Sequence, residues 1–171
     1  MTAALVRLEP WAESDLDLVE KLNTPAMTEH LGGPEPAGKV LERQARYAGL
    51  AASGRGRVSK IIDVESGHPA GSVAYWERSW GGEECYEMGW MVLPEFQGRG
   101  LASAGVAMAL EQMRAERKHR FVHAFPSVDN APSNGICRKA GFTLIDEVDF
   151  EYPPGHQMRC NDWRYDLAPI A

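Results

Sequence analysis

The sequence predicts an α/β (α+β) layered domain, with helices packed on a central, mostly antiparallel sheet. Three observations carry this. Cys85 to Leu93 is an aromatic and apolar run with one embedded carboxylate, Glu87, and reads as a largely buried strand. It leads through Gln97-Gly98-Arg99-Gly100-Leu101-Ala102, a turn with two glycines, into a helix with Ala102, Val106, Ala109, Leu110 and Met113 on one stripe. Flanking this unit are two pairs of strand-like runs joined by short turn signals: Val58–Val64 with Ala70–Glu77, and Phe142–Tyr152 with Gln157–Leu167.

Ala3–Leu8 reads as an opening strand. Ser14 is placed to cap a helix carrying Leu16, Val19 and Leu22, which Asn23 and Pro25 end. Pro25–Leu31 reads as a short helical turn, broken at Gly32-Gly33-Pro34. Pro36 suits the first turn of the next helix, through Val40, Leu41, Ala45 and Ala48, and Ser53-Gly54-Arg55-Gly56 is a loop. The first hairpin turns at Glu65-Ser66-Gly67-His68, and Trp80-Gly81-Gly82 delivers the chain to the central strand. After the central helix, Phe121–Phe125 is a short strand. A helix starts at Asn130 or Ser133 and is ended by Lys139 and Gly141. Pro153-Pro154-Gly155-His156 separates the last two strands.

The chain has 171 residues, no linker-like shift and no internal repeat, so one domain over 1–171 is expected. A net charge of −6 argues against a nucleic-acid binder and suits cationic or neutral acceptors. Cys85, Cys137 and Cys160 are an odd set without a C-x-x-C pair, so free thiols and a cytoplasmic protein are expected. Arg7 and Glu9 interrupt the first ten residues, which do not read as a signal peptide, and no apolar run is long enough to span a bilayer. His156, Cys160, Asn161 and Asp162 match no zinc spacing, so no metal site is expected.

The glycine turn invites an anion. First-turn N–H groups of a helix have no intrahelical partner and the dipole there is positive. Gly98 and Gly100 let a phosphate approach the backbone, and Arg99 adds charge. Taken alone, the turn fits equally a plain glycine-assisted connection. It is not a P-loop, and the dinucleotide fingerprint lacks its third glycine, where Ser103 stands, and its acid further on.

Two segments together resemble the GNAT superfamily of acetyl-CoA-dependent N-acetyltransferases, most like its RimJ/RimL-type branch. The family's Q/R-x-x-G-x-G/A turn is matched by Gln97, Gly100 and Ala102 within EMGWMVLPEFQGRGLA. NAPSNGICRKAGF resembles its second cofactor segment, in the same order and at a similar separation. The resemblance implies a mixed, mostly antiparallel six- or seven-stranded sheet, helices on both faces, and a splayed strand pair forming the acetyl-CoA cleft. It implies pyrophosphate on the N–H groups of Gly98, Arg99, Gly100, Leu101, Ala102 and Ser103. The pantetheine arm would lie beside Met91, Val92 and Leu93, with Asn130 and Ser133 near it. Phe121–Phe125 would splay from the central strand.

Amine acetylation needs a neutral nucleophile, hence a proton acceptor, and a donor for the charged oxygen. A strand N–H near Met91 or Val92 is the expected donor. Glu87 is the first candidate base, because a carboxylate in an aromatic strand needs either work or a partner. An edge-facing or salt-bridged Glu87 is the alternative. His123 is the second candidate, since histidine exchanges protons near neutrality; a satisfied core histidine is the alternative. Where many family members carry an acidic tyrosine, this chain has Cys137, a donor or a packed thiol, with Ser133 one turn earlier. The expected acceptor is a small-molecule or peptide amine, and the chain is compatible with a homodimer. A non-catalytic acyl-CoA-binding domain is the competing reading. The loop Tyr152–His156 is the candidate for acceptor specificity.

Overall fold

The structure, a computed structural model, describes residues 4–168. Seven strands form one sheet in the order β1-β2-β3-β4-β5-β7-β6. They are β1 (Val6–Pro10), β2 (Gly56–Asp63), β3 (Pro69–Trp80), β4 (Glu83–Val92), β5 (Phe121–Ala124), β6 (Thr143–Glu151) and β7 (Gln157–Asp166). The helices are α1 (Leu16–Leu22), α2 (Ala37–Ser53), α3 (Leu101–Glu116) and α4 (Ala131–Ala140). Every neighbouring pair is antiparallel except β4 and β5.

The predicted elements are present with shifted ends. Of the predicted opening strand, Ala3 lies outside the described residues, and β1 runs two residues further, to Pro10. Asp15 rather than Ser14 stands at the α1 N-cap, because a 3-10 turn at Glu13–Asp15 precedes it. Pro25–Leu31 forms turns rather than a helix. Thr24 carbonyl accepts from Thr28 N–H and Thr28 carbonyl from Leu31 N–H, and the bonding propagates no further. Pro36 is the α2 N-cap, and Gly54 in the left-handed region ends that helix.

Two apolar layers sandwich the sheet. On one face Leu101, Val106, Ala109, Leu110 and Met113 of α3 and Cys137 of α4 pack against Val6, Ile61, Val73, Tyr86 and Val122. On the other, Leu18, Val19 and Leu22 of α1 and Val40 of α2 pack with Trp11, Val58 and Leu93. The buried stripe of α3 includes Gly105, where a Cβ would sit 2.8 Å from Ile61 Cδ1. The small residue is what lets this helix lie close to β2.

What matters for the site is how β4 meets its two neighbours. With β3 it pairs along its whole length, from Glu83↔Trp80 to Val92↔Gly71. With β5 it pairs at only two positions, Tyr86↔Val122 and Glu87↔His123. Beyond them Met88–Val92 continues while β5 ends at Ala124 and the chain turns away, so the two strands fork. Asn134 of α4 holds the departing chain. It donates to the Ser127 and Asn130 carbonyls and accepts from Asn161 Nδ2 at 2.8 Å and Trp163 Nε1 at 2.9 Å.

Gly71 fixes the other side of β4, since an added Cβ would stand 1.9 Å from the Met91 carbonyl oxygen. Gly71→Ala should therefore push β3 and β4 apart and destabilise the fold by about 2 kcal/mol or more, on the scale of core overpacking. Urea denaturation measures this, and an unchanged midpoint would contradict the close approach.

Candidate active site

The turn after β4 is open. Gly98 and Gly100 have φ of +77° and +78°, a region L side chains rarely adopt. Among the described residues no atom lies within 4 Å of where a Gly98 Cβ would stand, and a Gly100 Cβ would meet only the end of Leu5 at 3.8 Å. Among the described residues the N–H groups of Gly98, Arg99 and Gly100 make no hydrogen bond. Those of Leu101, Ala102 and Ser103 belong to the first turn of α3, where no helical partner exists. The result is a run of outward donors at a positive helix end.

Two side chains hold the turn. Gln97 Nε2 donates to the Val92 carbonyl at 2.8 Å, closing the end of β4. Arg99 reaches back to the β2–β3 turn, donating to both Asp63 oxygens at 3.0 Å and to Glu65 at 2.6 Å. Arg99 was expected to supply charge for an anion; its guanidinium is instead occupied by two carboxylates, and its place is that of an anchor.

The backbone of β4 selects which donor faces the fork. Leu93 N–H bonds the Ala70 carbonyl, and the Met91 carbonyl lies against Gly71, so both residues address β3. Strand alternation then turns the N–H groups of Trp90 and Val92 to the open side. Of the expected pair Met91 and Val92, Val92 is thus the one with an available N–H. The Trp90 indole N–H is buried and has no partner among the described residues.

At the fork itself Glu87 and His123 sit side by side, at 8 % and 7 % exposure. Glu87 Oε2 accepts from Arg78 Nη1 at 2.5 Å. Burial pushes the Glu87 carboxyl above its ordinary range, and the Arg78 guanidinium holds part of that back. Arg78 lies over three aromatic rings, with Cζ 5.0 Å from Trp80, 5.4 Å from Phe125 and 4.9 Å from Phe150. His123 stacks on Phe125, and its Nδ1 lies 2.6 Å from Asp162 Oδ1. Asp162 is also buried, and its second oxygen accepts from Trp80 Nε1 at 3.0 Å.

Three candidate residues belong to α4 and its N-cap. Cys137 is fully buried in the core with the apolar stripe of α3, and burial pushes its thiol up to about 12. Asn130 is the α4 N-cap, its Oδ1 accepting from Ser133 N–H at 3.2 Å. The Ser133 side chain is half-buried beside it. The Tyr152–His156 loop touches the helical layer: Arg43 of α2 donates to the Tyr152 hydroxyl at 3.2 Å, and Gly32 lies against Pro153 and His156.

Sequence reasoning missed Arg78, Asn134 and the role of Asp162. The signal for Asp162 was available: like Glu87, it is a carboxylate inside a strand with buried neighbours, Cys160 and Trp163. No comparable signal marks Arg78 or Asn134.

The sequence matches the family described as acetyltransferase (GNAT) domain over residues 6–143. No curated protein matches the chain. Among solved structures, the chain is similar to RimL, a ribosomal L7/L12 alpha-N-protein acetyltransferase in complex with coenzyme A. The TM-score is 0.79 at 18 % identity, covering 97 % of this chain and 96 % of that one. It is similar to spermidine N-acetyltransferase from Vibrio cholerae in complex with CoA and spermine, with TM-score 0.77, 17 % identity and 96 % and 97 % covered. It is also similar to the ribosomal-protein-S5-alanine acetyltransferase from Vibrio fischeri, with TM-score 0.78, 14 % identity and 98 % and 96 % covered.

The Asp63–Arg99 anchor has a pH signature. The bidentate guanidinium, with Ser66, lowers the Asp63 carboxyl to about 2. A carboxyl lowered in the folded state adds stability above its unfolded pKa, near ~4, and loses it as pH falls toward the folded value. Stability should therefore drop between about pH 4 and pH 2. Arg99→Ala should be less stable at pH 7 and flatter across that window. Parallel urea-denaturation profiles for the two proteins would refute the assignment.

Proposed function

The chain belongs to the GNAT acetyltransferase family, and on that premise we propose that it is an acetyl-CoA-dependent N-acetyltransferase acting on a primary amine as one domain spanning 1–171. The observation that carries this reading is the fork: a buried carboxylate and a buried imidazole stand side by side where β4 and β5 part. The residues present fit CoA. Partnerless N–H groups and open glycines at the start of α3 suit a pyrophosphate, and the free edge of Met88–Val92 suits an amide-bearing arm.

The acetyl thioester supplies an electrophilic carbonyl when bound. The protein's part is to orient it, to receive a proton and to stabilise charge. Glu87, directly or through water, takes the proton from the acceptor ammonium so that the nitrogen attacks as a free amine. His123 is the relay beside it. The Val92 N–H donates to the oxygen that gains negative charge. With Cys137 in the core, solvent protonates the departing thiolate, with Ser133 the side chain nearest in sequence to that role.

The acceptor enters from the face opposite α3, past Trp76, Arg78, Trp80, Phe125, Phe150 and the Tyr152–His156 loop. A protein N-terminus or a small-molecule amine fits this reading, as the names of RimL and of spermidine N-acetyltransferase illustrate for two proteins of similar fold. A net charge of −6 favours a cationic acceptor over nucleic acid. No helix of the described residues is long and apolar enough to cross a membrane.

Free-thiol release from acetyl-CoA across a panel of primary amines tests the reading; CoA binding with no transfer to any amine would favour a binding domain instead. Once an acceptor is found, Glu87→Gln should lower kcat by roughly 10²-fold at neutral pH. The loss should shrink at high pH, where the amine is already neutral. Unchanged rates at every pH would remove Glu87 from the proton path. Gly100→Val should weaken CoA binding, read by calorimetry, by more than about 1 kcal/mol; equal affinity would remove the turn from the cofactor site.

A further inference from the structure

We propose that Asp162 is a positioning residue that makes His123 the proton sink of the transfer reaction, by holding Nδ1–H and leaving the Nε2 lone pair free. This rests on the acetyl-transfer reading above. Asp162 Oδ1 lies 2.6 Å from His123 Nδ1, with both groups buried. An ionised carboxylate only accepts, so Nδ1 must carry the hydrogen, and in a neutral ring Nε2 is then the basic nitrogen. Among the described residues Nε2 makes no hydrogen bond and is not among the fully buried atoms left without a partner.

Trp80 locks the arrangement. Its Nε1–H donates to the other oxygen of Asp162 at 3.0 Å. Both carboxylate oxygens therefore face donors, one from β5 and one from β3.

Asp162 on β7 and Glu87 on β4 stand beside the imidazole, Arg78 on β3 pairs Glu87, and the Cys85 and Cys160 thiols are buried near these carboxylates. Burial raises both thiols to about 11, so they stay neutral at physiological pH. The steps close. An ammonium N–H bond breaks and a Glu87 O–H bond forms. Through a bridging water, which takes this proton and gives up another, that O–H bond breaks as an Nε2–H bond forms, which restores the Glu87 carboxylate. The imidazolium then gives its proton to solvent, and no oxidant or second reactant is needed.

Trp80 also dictates what Asp162→Asn will do. The amide must turn its oxygen to the Trp80 N–H, and its NH2 then donates to Nδ1, forcing the hydrogen onto Nε2. Nitrogen-15 NMR of His123 should show Nδ1–H in the unaltered chain and Nε2–H in Asp162→Asn. The variant's kcat should fall by about 10²-fold or more with KM and CoA affinity little changed. Trp80→Phe removes the competing donor, so Trp80→Phe/Asp162→Asn should regain Nδ1–H and most of the lost kcat. Nε2–H in the unaltered chain overturns the proposal, as does full kcat in Asp162→Asn, or a double variant no better than the single. The spectra of the unaltered chain need neither a variant nor an acceptor. A chain that acetylates no amine would sink the transfer reading while the pairing is still decided.

Discussion

The site depends on one break in hydrogen bonding. β4 is the centre of the sheet, and a central strand normally satisfies its N–H and C=O groups on both edges. Here the edge toward β5 is paired at Tyr86 and Glu87 and then released. The sheet survives because β3 holds the other edge along its full length, helped by the close approach at Gly71, and because β7 bridges β5 to β6. The released edge is left short of partners at Trp90 and Val92. Such a surface is costly in a folded protein unless water or a ligand completes it.

Two sets of polar contacts keep the break in shape. On the departing side, Asn134 gathers Ser127, Asn130, Asn161 and Trp163 with one amide, so the chain after β5 leaves along a fixed path. On the turn side, Asp63 and Arg99 tie the glycine loop to the β2–β3 hairpin, and Gln97 closes the strand end. The fork thus lies between two clamps, which suits a site that must present donors without reorganising. The aromatic rings around Arg78 add a third constraint, because they place a guanidinium beside Glu87 while keeping the surroundings apolar.

Element type was legible wherever hydrophobic period and punctuation agreed. The helix through Val106 and Met113, the Glu65–His68 hairpin and the Gly141 stop are all local signals. Ser14 was misread because caps are decided by tertiary contact. Glu87 and His123 stood out as polar residues in apolar strands, and the structure brings them together. Their partners did not stand out, because pairings such as Arg78 with Glu87 and Asp162 with His123 are set by sheet order. That order runs β4-β5-β7-β6 and places a residue near the end of the chain beside the centre. Arg99 shows the converse: a charge beside a glycine turn at a helix start reads as a ligand contact until the carboxylates facing it are known.

The central claim is that the free edge of β4 and the glycine turn form one continuous surface for a single extended ligand. Backbone amide hydrogen exchange with and without CoA tests it most directly. Joint protection of Trp90, Val92 and Gly98 to Ser103, rising together with CoA concentration, is the result expected. Protection confined to other segments, or to the turn with the β4 amides unchanged, would contradict it.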